Sequence, residues 1–283
     1  MNSTTARHFS FEFFPPRTPE GEAKLDIAHA KLAKLEPDFF SLTYGAGGST
    51  KQGTRDLVIK YLEQGSNVAP HLSFGGTTDD EVLALLNDYK EAGATRLVAL
   101  RGDMPSGGGS RVHHRYANEL VEFIRKETGD YFHIDVACYP EIHPEAPSYE
   151  ADVAFFKQKV DAGANSAITQ YFYNSDAYFR FVDYCADKDI DIPIVPGIMP
   201  ITNYANLARF SANCGAEIPQ WIHRRLEGFG EDAESLRAFG IDVVTELCHK
   251  LLEGGAPGLH FYSMNASKTV TEIWNNLDLS NQR

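Results

Sequence analysis

Short runs of β-branched and aromatic residues alternate with longer stretches of helical period along the whole chain. The runs are His8–Phe13, Phe39–Thr43, Pro70–Phe74, Arg96–Leu100, Phe132–Cys138, Ser166–Thr169, Ile194–Gly197 and Leu259–Tyr262. Helical sequence follows each of them, and strands alternating with helices predict parallel βαβ units. Their apolar character suits a sheet covered by helices. The helical stretches carry end signals. Thr18-Pro19-Glu20 offers an N-cap, a proline at the first helical position and an early acid. Thr78-Asp79-Asp80-Glu81 is a capping box ahead of Val82, Leu85 and Leu86. Leu236, Phe239, Val243, Leu247 and Leu251 keep three- and four-residue spacing until Gly254-Gly255 stops the helix.

One internal similarity decides the architecture. Glu91-Ala92-Gly93-Ala94, Asp161-Ala162-Gly163-Ala164 and Glu253-Gly254-Gly255-Ala256 each precede a strand, 70 and 92 residues apart. The glycine ends a helix in a left-handed turn, and the small residue lets the chain pass tightly into the next strand. Such spacing predicts an α/β (β/α)8 TIM barrel, with extra helices between strands seven and eight. A doubly wound open sheet is the alternative, because a strand count does not prove closure. It would be favoured by Gly-x-Gly-x-x-Gly after the first strand, which is absent. No linker or low-complexity tract divides the sequence. It therefore reads as one domain over 1–283, with residues 1–7 a loose tail.

Composition narrows the function classes. With 26 Lys and Arg against 39 Asp and Glu the formal charge is −13, which repels nucleic acid and anionic membrane surfaces. No apolar run approaches the roughly 20 residues of a membrane span. The N-terminus lacks the apolar core of a signal peptide, so a cytoplasmic protein is expected. Cys138, Cys185, Cys214 and Cys248 show no metal-binding spacing and are expected to be reduced. Adjacent His113-His114 would diverge on a helix. No metal site is predicted.

In a barrel the chemistry gathers at the carboxyl ends of the strands. There the chain places Glu12, Thr43-Tyr44-Gly45-Ala46-Gly47-Gly48, His71, Arg101-Gly102-Asp103, Tyr139-Pro140-Glu141-Ile142-His143 and Gln170. Glu12 lies in Phe9-Ser10-Phe11-Glu12-Phe13-Phe14. A carboxylate among aromatics should be desolvated, which raises its pKa and suits a general acid. Alternatively, strand alternation points it outward, or Arg7 or Arg17 pairs with it. Asp103 reads either as a carboxylate shown to a ligand or as a helix cap. The Gly45-Ala46-Gly47-Gly48-Ser49-Thr50 cluster could hold phosphate oxygens or simply make a tight loop, whereas Gly107-Gly108-Gly109 reads as a mobile loop. Tyr139, Tyr171, Phe172 and Tyr173 could stack on a planar ligand, although packing is commoner. Neither Gly-x-Ser-x-Gly nor His-Glu-x-x-His occurs.

Taken in order, these rim motifs resemble the 5,10-methylenetetrahydrofolate reductase family. The matching stretches are Phe11–Pro16, Thr43–Ala46, Ala69–Leu72, Leu100–Asp103, Tyr139–Ala146, Lys159–Ala164, Ile168–Gln170, Pro196–Ile198 and His260–Tyr262. They span about the whole chain, with a length suited to the catalytic barrel alone, as in bacterial members. The resemblance implies noncovalent FAD, reduction by NADH or NADPH, and ping-pong conversion of 5,10-methylenetetrahydrofolate to 5-methyltetrahydrofolate, which supplies methyl groups for methionine synthesis. It implies Glu12 as general acid and Asp103 as a carboxylate near the flavin that also contacts the pterin. Flavin contacts carried over are Thr43, Tyr44, Ala46, His71, Arg101, Gly102, Asp103, Ala117, Tyr139, His143, Ala146, Asp152 and Lys159. Arg101 and Lys159 would offset the diphosphate. Gln170, Asn206 and Phe210 fall on the substrate side with Glu12 and Asp103.

The chain departs from the pattern at Phe155 and Gln158, where enterobacterial relatives carry Asn and Arg, and at Ala266, where relatives carry arginine. Lys268 is a nearby cation for the folate tail. A homo-oligomer, dimer or tetramer, is implied by resemblance alone. Two other readings compete: another flavin barrel of the proline dehydrogenase kind, and a barrel that only binds flavin or folate.

Overall fold

The first strand sets the plan. Along β1 (His8–Phe13) the odd positions Phe9, Phe11 and Phe13 are fully buried among helices, with Phe9 edge-on to Trp274 at 5.3 Å. The even positions Ser10 and Glu12 face the opposite way, toward His260 and Ser41. This two-residue alternation, repeated strand by strand, gives an apolar outer layer and a polar lumen. The computed structural model describes residues 7–44, 51–74, 77–102 and 116–282.

Eight further strand segments follow: β2 (Phe39–Leu42), β3 (Val68–Leu72), β4 (Arg96–Ala99), β5 (His133–Cys138), β6 (Ser166–Thr169), β7 (Ile194–Val195), β8 (Gly197–Ile198) and β9 (Gly258–Tyr262). All pairings are parallel, in the order β7-β6-β5-β4-β3-β2-β1-β9-β8. β7 and β8 are halves of one strand interrupted at Pro196, which has no N–H to give a ladder. Ile194 and Val195 pair with β6, and Gly197 and Ile198 pair with β9. The Pro196 carbonyl accepts from His260 N at 3.0 Å, while Gly197 N donates to the Thr169 hydroxyl at 2.9 Å. The sheet thus returns on itself as an eight-staved barrel.

Helices α1 (Pro19–Leu32), α2 (Lys51–Glu63), α3 (Asp79–Glu91), α4 (Ala117–Thr128), α5 (Tyr149–Asp161) and α6 (Ser175–Ala186) alternate with the strands. The expected extra helices are α7 (Tyr204–Cys214), α8 (Gln220–Gly228) and α9 (Ala233–Glu253), and α10 (Lys268–Asn276) follows β9. Thr18 caps α1, and Thr78 and Glu81 form the reciprocal box at α3. Gly93, Gly163 and Gly255 all take positive φ, at 90°, 113° and 92°, as the repeated helix–strand joint requires. Residue 7 is not loose: Arg7 donates to the Leu252 carbonyl at 2.9 Å and to Gln282. Residue 7 sits directly before β1, within reach of the C-terminal helices.

The lumen is layered. At the amino-terminal end Arg96 grips Asp135 with two bonds, at 2.6 and 2.9 Å, and its guanidinium lies 4.1 Å above the Phe39 ring. Ser166 donates to Asp135 at 2.5 Å. Burial alone would raise the Asp135 carboxyl, but Arg96 and Ser166 reverse this and hold it below the usual range. Above this floor Phe39, Ala69, Val98 and Ile168 form a small apolar plug. Asp135→Ala should cost about 3–5 kcal/mol in urea unfolding, because it strands Arg96 in the barrel floor. A loss below about 1 kcal/mol would show that the floor is not held by this pair.

Candidate active site

Above the plug four strands aim side chains at one point. Glu12 (β1), Ser41 (β2), His71 (β3) and His260 (β9) meet near the carboxyl ends of their strands, because register pairs Glu12 with Ser41 and with Tyr262. Glu12 Oε2 lies 3.4 Å from Ser41 Oγ, 3.4 Å from His71 Nε2 and 3.4 Å from His260 Nε2. On its far side His260 Nδ1 is 2.7 Å from the Ser10 hydroxyl. The carboxylate can only accept, so a hydrogen bond from His260 places a proton on Nε2, while Nδ1 faces the Ser10 hydroxyl.

Glu12 therefore points into the lumen, with histidines rather than Arg7 or Arg17 as partners. The expected pKa direction is reversed. Burial does raise the Glu12 carboxyl, but the His260 hydrogen bond, the charges on His71 and His260, and the Ser41 hydroxyl outweigh it and hold it below its ordinary value. The aromatic neighbours in sequence face away, while the groups that set the charge come from three other strands. His71 is pushed down by burial, and its Nε2 has no hydrogen-bond partner. A buried polar atom that makes no hydrogen bond can still take one from a ligand.

The other sequence candidates fall on this rim or just behind it. Arg101 Nη1 donates to Glu145 at 2.6 Å, and Gly102 takes φ 83°. The Tyr139 ring packs edge-on to His143 at 4.6 Å, with burial lifting its phenol to about 12. His143 N donates to Asp152 at 2.8 Å, and His143 Nδ1 accepts from Glu145 N at 3.0 Å. Thr43 and Tyr44 are half-buried after β2, Ala117 opens α4, and Ala146 N closes a turn onto His143 O at 2.9 Å. Lys159 sits behind β5, donating to the Ala137 carbonyl at 2.5 Å, and burial pushes its amine down. Gln170 folds back so that its side-chain oxygen accepts from Tyr171 N. Asn206 is exposed and Phe210 half-buried on α7. Phe155, Gln158, Ala266 and Lys268 are exposed. Ala46, Asp103, His113, His114 and both glycine loops lie outside the described residues.

Tyr171, Phe172 and Tyr173 pack. Tyr171 reaches Ser211 at 3.0 Å, Tyr173 donates to the Met199 carbonyl at 3.1 Å, and Phe172 stacks on Tyr178. All four cysteines are free thiols. Among the described residues there is no cluster that could hold a metal ion, and no helix is long and apolar enough to cross a membrane. Sequence reasoning missed Ser41 and His260 as partners of Glu12, and Ser10 as the partner of His260. The one available signal was Ser10, two residues before Glu12 and so on the same strand face.

Beyond the centre, Glu141 accepts from Glu217 N at 2.7 Å, tying the loop after β5 to the segment after α7. Burial lifts its carboxyl to about 6 against an ordinary 4.5. The native chain then binds this proton more tightly than the unfolded chain, so the group costs stability as pH rises from 4.5 through 6. Glu141→Gln keeps an oxygen for Glu217 N without the charge. It should be more stable than wild type by about 1 kcal/mol at pH 7.5, discounted for partial exposure, and equal to it near pH 4.5. Thermal melts across this range check the sign; a constant offset at every pH would contradict it.

The sequence matches the methylenetetrahydrofolate reductase family over residues 1–278. It is 39% identical over 269 residues to the 5,10-methylenetetrahydrofolate reductase of Escherichia coli, covering 95% of this chain and 90% of that one. It is 38% identical to methylenetetrahydrofolate reductase (NADH) 1 of Arabidopsis thaliana, covering 96% of this chain but 48% of the plant protein. Among solved structures, a Clostridium thermocellum protein described as binding two copies of 5-methyl-5,6,7,8-tetrahydrofolic acid shares the fold, with a TM-score of 0.67 at 16% identity over 98% of this chain and 96% of that one. An α/β barrel with a carboxylate among histidines at its mouth, matched in sequence over nearly its whole length, places this chain in the methylenetetrahydrofolate reductase family of oxidoreductases.

Proposed function

We propose that this chain reduces 5,10-methylenetetrahydrofolate to 5-methyltetrahydrofolate with NADH or NADPH, using noncovalent FAD and admitting the two substrates to one cleft in turn. The observation that carries the reading is the Glu12 centre: a carboxylate held by Ser41, His71 and His260 at the rim of the barrel. A barrel that only bound its ligand would gain nothing from a carboxylate and two histidines sharing one oxygen.

The residues present fit a flavin. His71 offers a buried Nε2 that makes no hydrogen bond and lies 3.4 Å from Glu12 Oε2. Arg101 is a rim cation near Tyr139 and His143, though it would have to share its guanidinium between Glu145 and a diphosphate. The remaining flavin positions, including Asp103, Asp152 and Lys159, are carried over from the family resemblance, as are Gln170, Asn206 and Phe210 on the folate side. When bound, FAD supplies the two-electron chemistry between nicotinamide and the methylene carbon.

The chain's own part is the proton. Opening the folate's five-membered ring requires protonation of its departing nitrogen, a task for a general acid. Without a ligand Glu12 is held ionised, with 18% of its side chain exposed. A planar ligand across the mouth removes that remaining water and strengthens the burial that already favours the neutral form. His260 Nε2 and His71 Nε2, each 3.4 Å from Glu12 Oε2, are the nearest groups able to pass it a proton. Family resemblance further suggests a cytoplasmic homo-oligomer, dimer or tetramer, which light scattering on the purified protein would assign.

The purified protein should be yellow, and anaerobic titration should show NADH bleaching the flavin band and methylenetetrahydrofolate restoring it. Glu12→Gln should keep the bleaching while losing about 10²–10⁴-fold in the restoring rate. Unchanged folate reduction in that variant would remove Glu12 from its role. A colourless protein that cannot be loaded with FAD would remove the whole reading.

A further inference from the structure

β1 ends in an awkward sequence. Past Phe14 come Pro15 and Pro16, neither with an N–H, and the strand pairings end before Phe14: Phe13 is still paired with Leu42 of β2 and its carbonyl accepts from Thr43 N at 2.9 Å, but on the β9 side the ladder has already stopped. The last backbone pair with β9 is Glu12 with Tyr262. The loop after β9 takes over from there. Ser263 donates from its hydroxyl to the Glu12 carbonyl at 2.5 Å and from its N–H at 3.3 Å. The Asn265 side chain then clasps Phe14 from both sides of its amide. Oδ1 accepts from Phe14 N at 2.9 Å, and Nδ2 donates to Phe14 O at 2.8 Å. One side chain thus imitates the next residue of a strand.

Making this clasp requires an unfavourable backbone. Met264 and Asn265 both take left-handed conformations, with φ 53° and 55°. Asparagine tolerates that region and methionine does not, so the turn is held there by its bonds. The Ala266 N–H donating to the Ser263 carbonyl at 3.0 Å closes the turn. Two successive left-handed residues, spent on fixing residues 12–14, mark the orientation of Glu12 as what the loop serves.

We propose that Asn265 is a positioning residue for Glu12: by clasping Phe14 it fixes the end of β1 so that the Glu12 carboxylate stays between His71 and His260. The inference rests on the reading of Glu12 given above only for its effect on catalysis. Its structural content stands on the clasp. The groups facing the carboxylate are Ser41 from β2, His71 from β3, and His260 and Tyr262 from β9. A carboxylate that swings off the histidines loses the interactions that depress its pKa.

The test uses the FAD-loaded protein with carboxyl-¹³C glutamate, the Glu12 signal being assigned by its loss in Glu12→Gln. In Asn265→Ala the titration midpoint of Glu12 should rise by about one pH unit. Flavin reoxidation by methylenetetrahydrofolate should slow about 10–100-fold while flavin reduction by NADH changes less than about 2-fold, as a misplaced acid affects only the first. Ser263→Ala, which removes one bond and keeps the turn, should shift both readouts the same way by less. An unmoved Glu12 midpoint in both variants overturns the proposal. So does an equal loss of both half-reactions with release of FAD, which would mean a general structural role. If Glu12→Gln itself retains folate reduction, the catalytic reading fails, and the Glu12 midpoint in Asn265→Ala still decides the clasp.

Discussion

One carboxylate oxygen, Oε2 of Glu12, is the point at which the barrel's geometry becomes chemistry. Three groups from three neighbouring strands approach it at 3.4 Å, and they do so only because β1 lies between β2 and β9 in a fixed register. A slip of one residue would turn Glu12 outward into the helical layer and bring Phe11 or Phe13 into the lumen. The aromatic packing of Phe9 and Phe11 against Trp274 is therefore part of the site, because it penalises that slip. The site depends equally on closure of the sheet, since His260 takes its place from a strand paired to both β1 and β8.

The two polar layers of the lumen are built on opposite terms. In the floor, Asp135 is fully buried and has its charge answered by Arg96 and its remaining oxygen capacity by Ser166. Nothing there is left for a ligand. At the rim, the contacts to Glu12 are all long for hydrogen bonds, and His71 Nε2 makes no hydrogen bond. A satisfied layer supports the fold at the amino-terminal end of the barrel, and an unsatisfied one faces the carboxyl ends of the strands, where barrel sites gather. The apolar cluster of Phe39, Ala69, Val98 and Ile168 packs between them.

Much of the fold was legible because its signals are local. β1 and β6 begin and end where their sequence patterns do, and the Gly93, Gly163 and Gly255 joints reported both the period and the left-handed backbone. β3 starts at Val68, two residues earlier than its pattern suggested, because the Phe40 N–H already bonds to Asn67 O and draws the chain in. The break at Pro196 was visible as a proline in a strand, but its consequence, one strand serving two neighbours on separate halves, is a property of closure. The pKa of Glu12 was misjudged for the same reason. Its apolar neighbours are adjacent in sequence, whereas His260 is 248 residues away and enters only once the sheet has closed.

The same division explains why catalytic groups and their supports differ in how readily a sequence shows them. Glu12 stands out as a lone acid in an aromatic run, and Arg101 as a cation at a strand end. Ser263 and Asn265 are ordinary polar residues in a loop, and nothing in their own neighbourhood sets them apart. Their significance comes from Phe14, some 250 residues earlier, whose N–H and C=O lie past the last strand pairing and just before Pro15 and Pro16. The N–H and C=O of Phe14 in one loop are met by a side-chain amide in another, and the pair can be recognised only when the first and last strands lie side by side. Two prolines three and four residues after the acid end the strand abruptly. They also leave the acid's own backbone in need of an outside anchor, which the loop after β9 provides through left-handed turns that no local preference of methionine would choose.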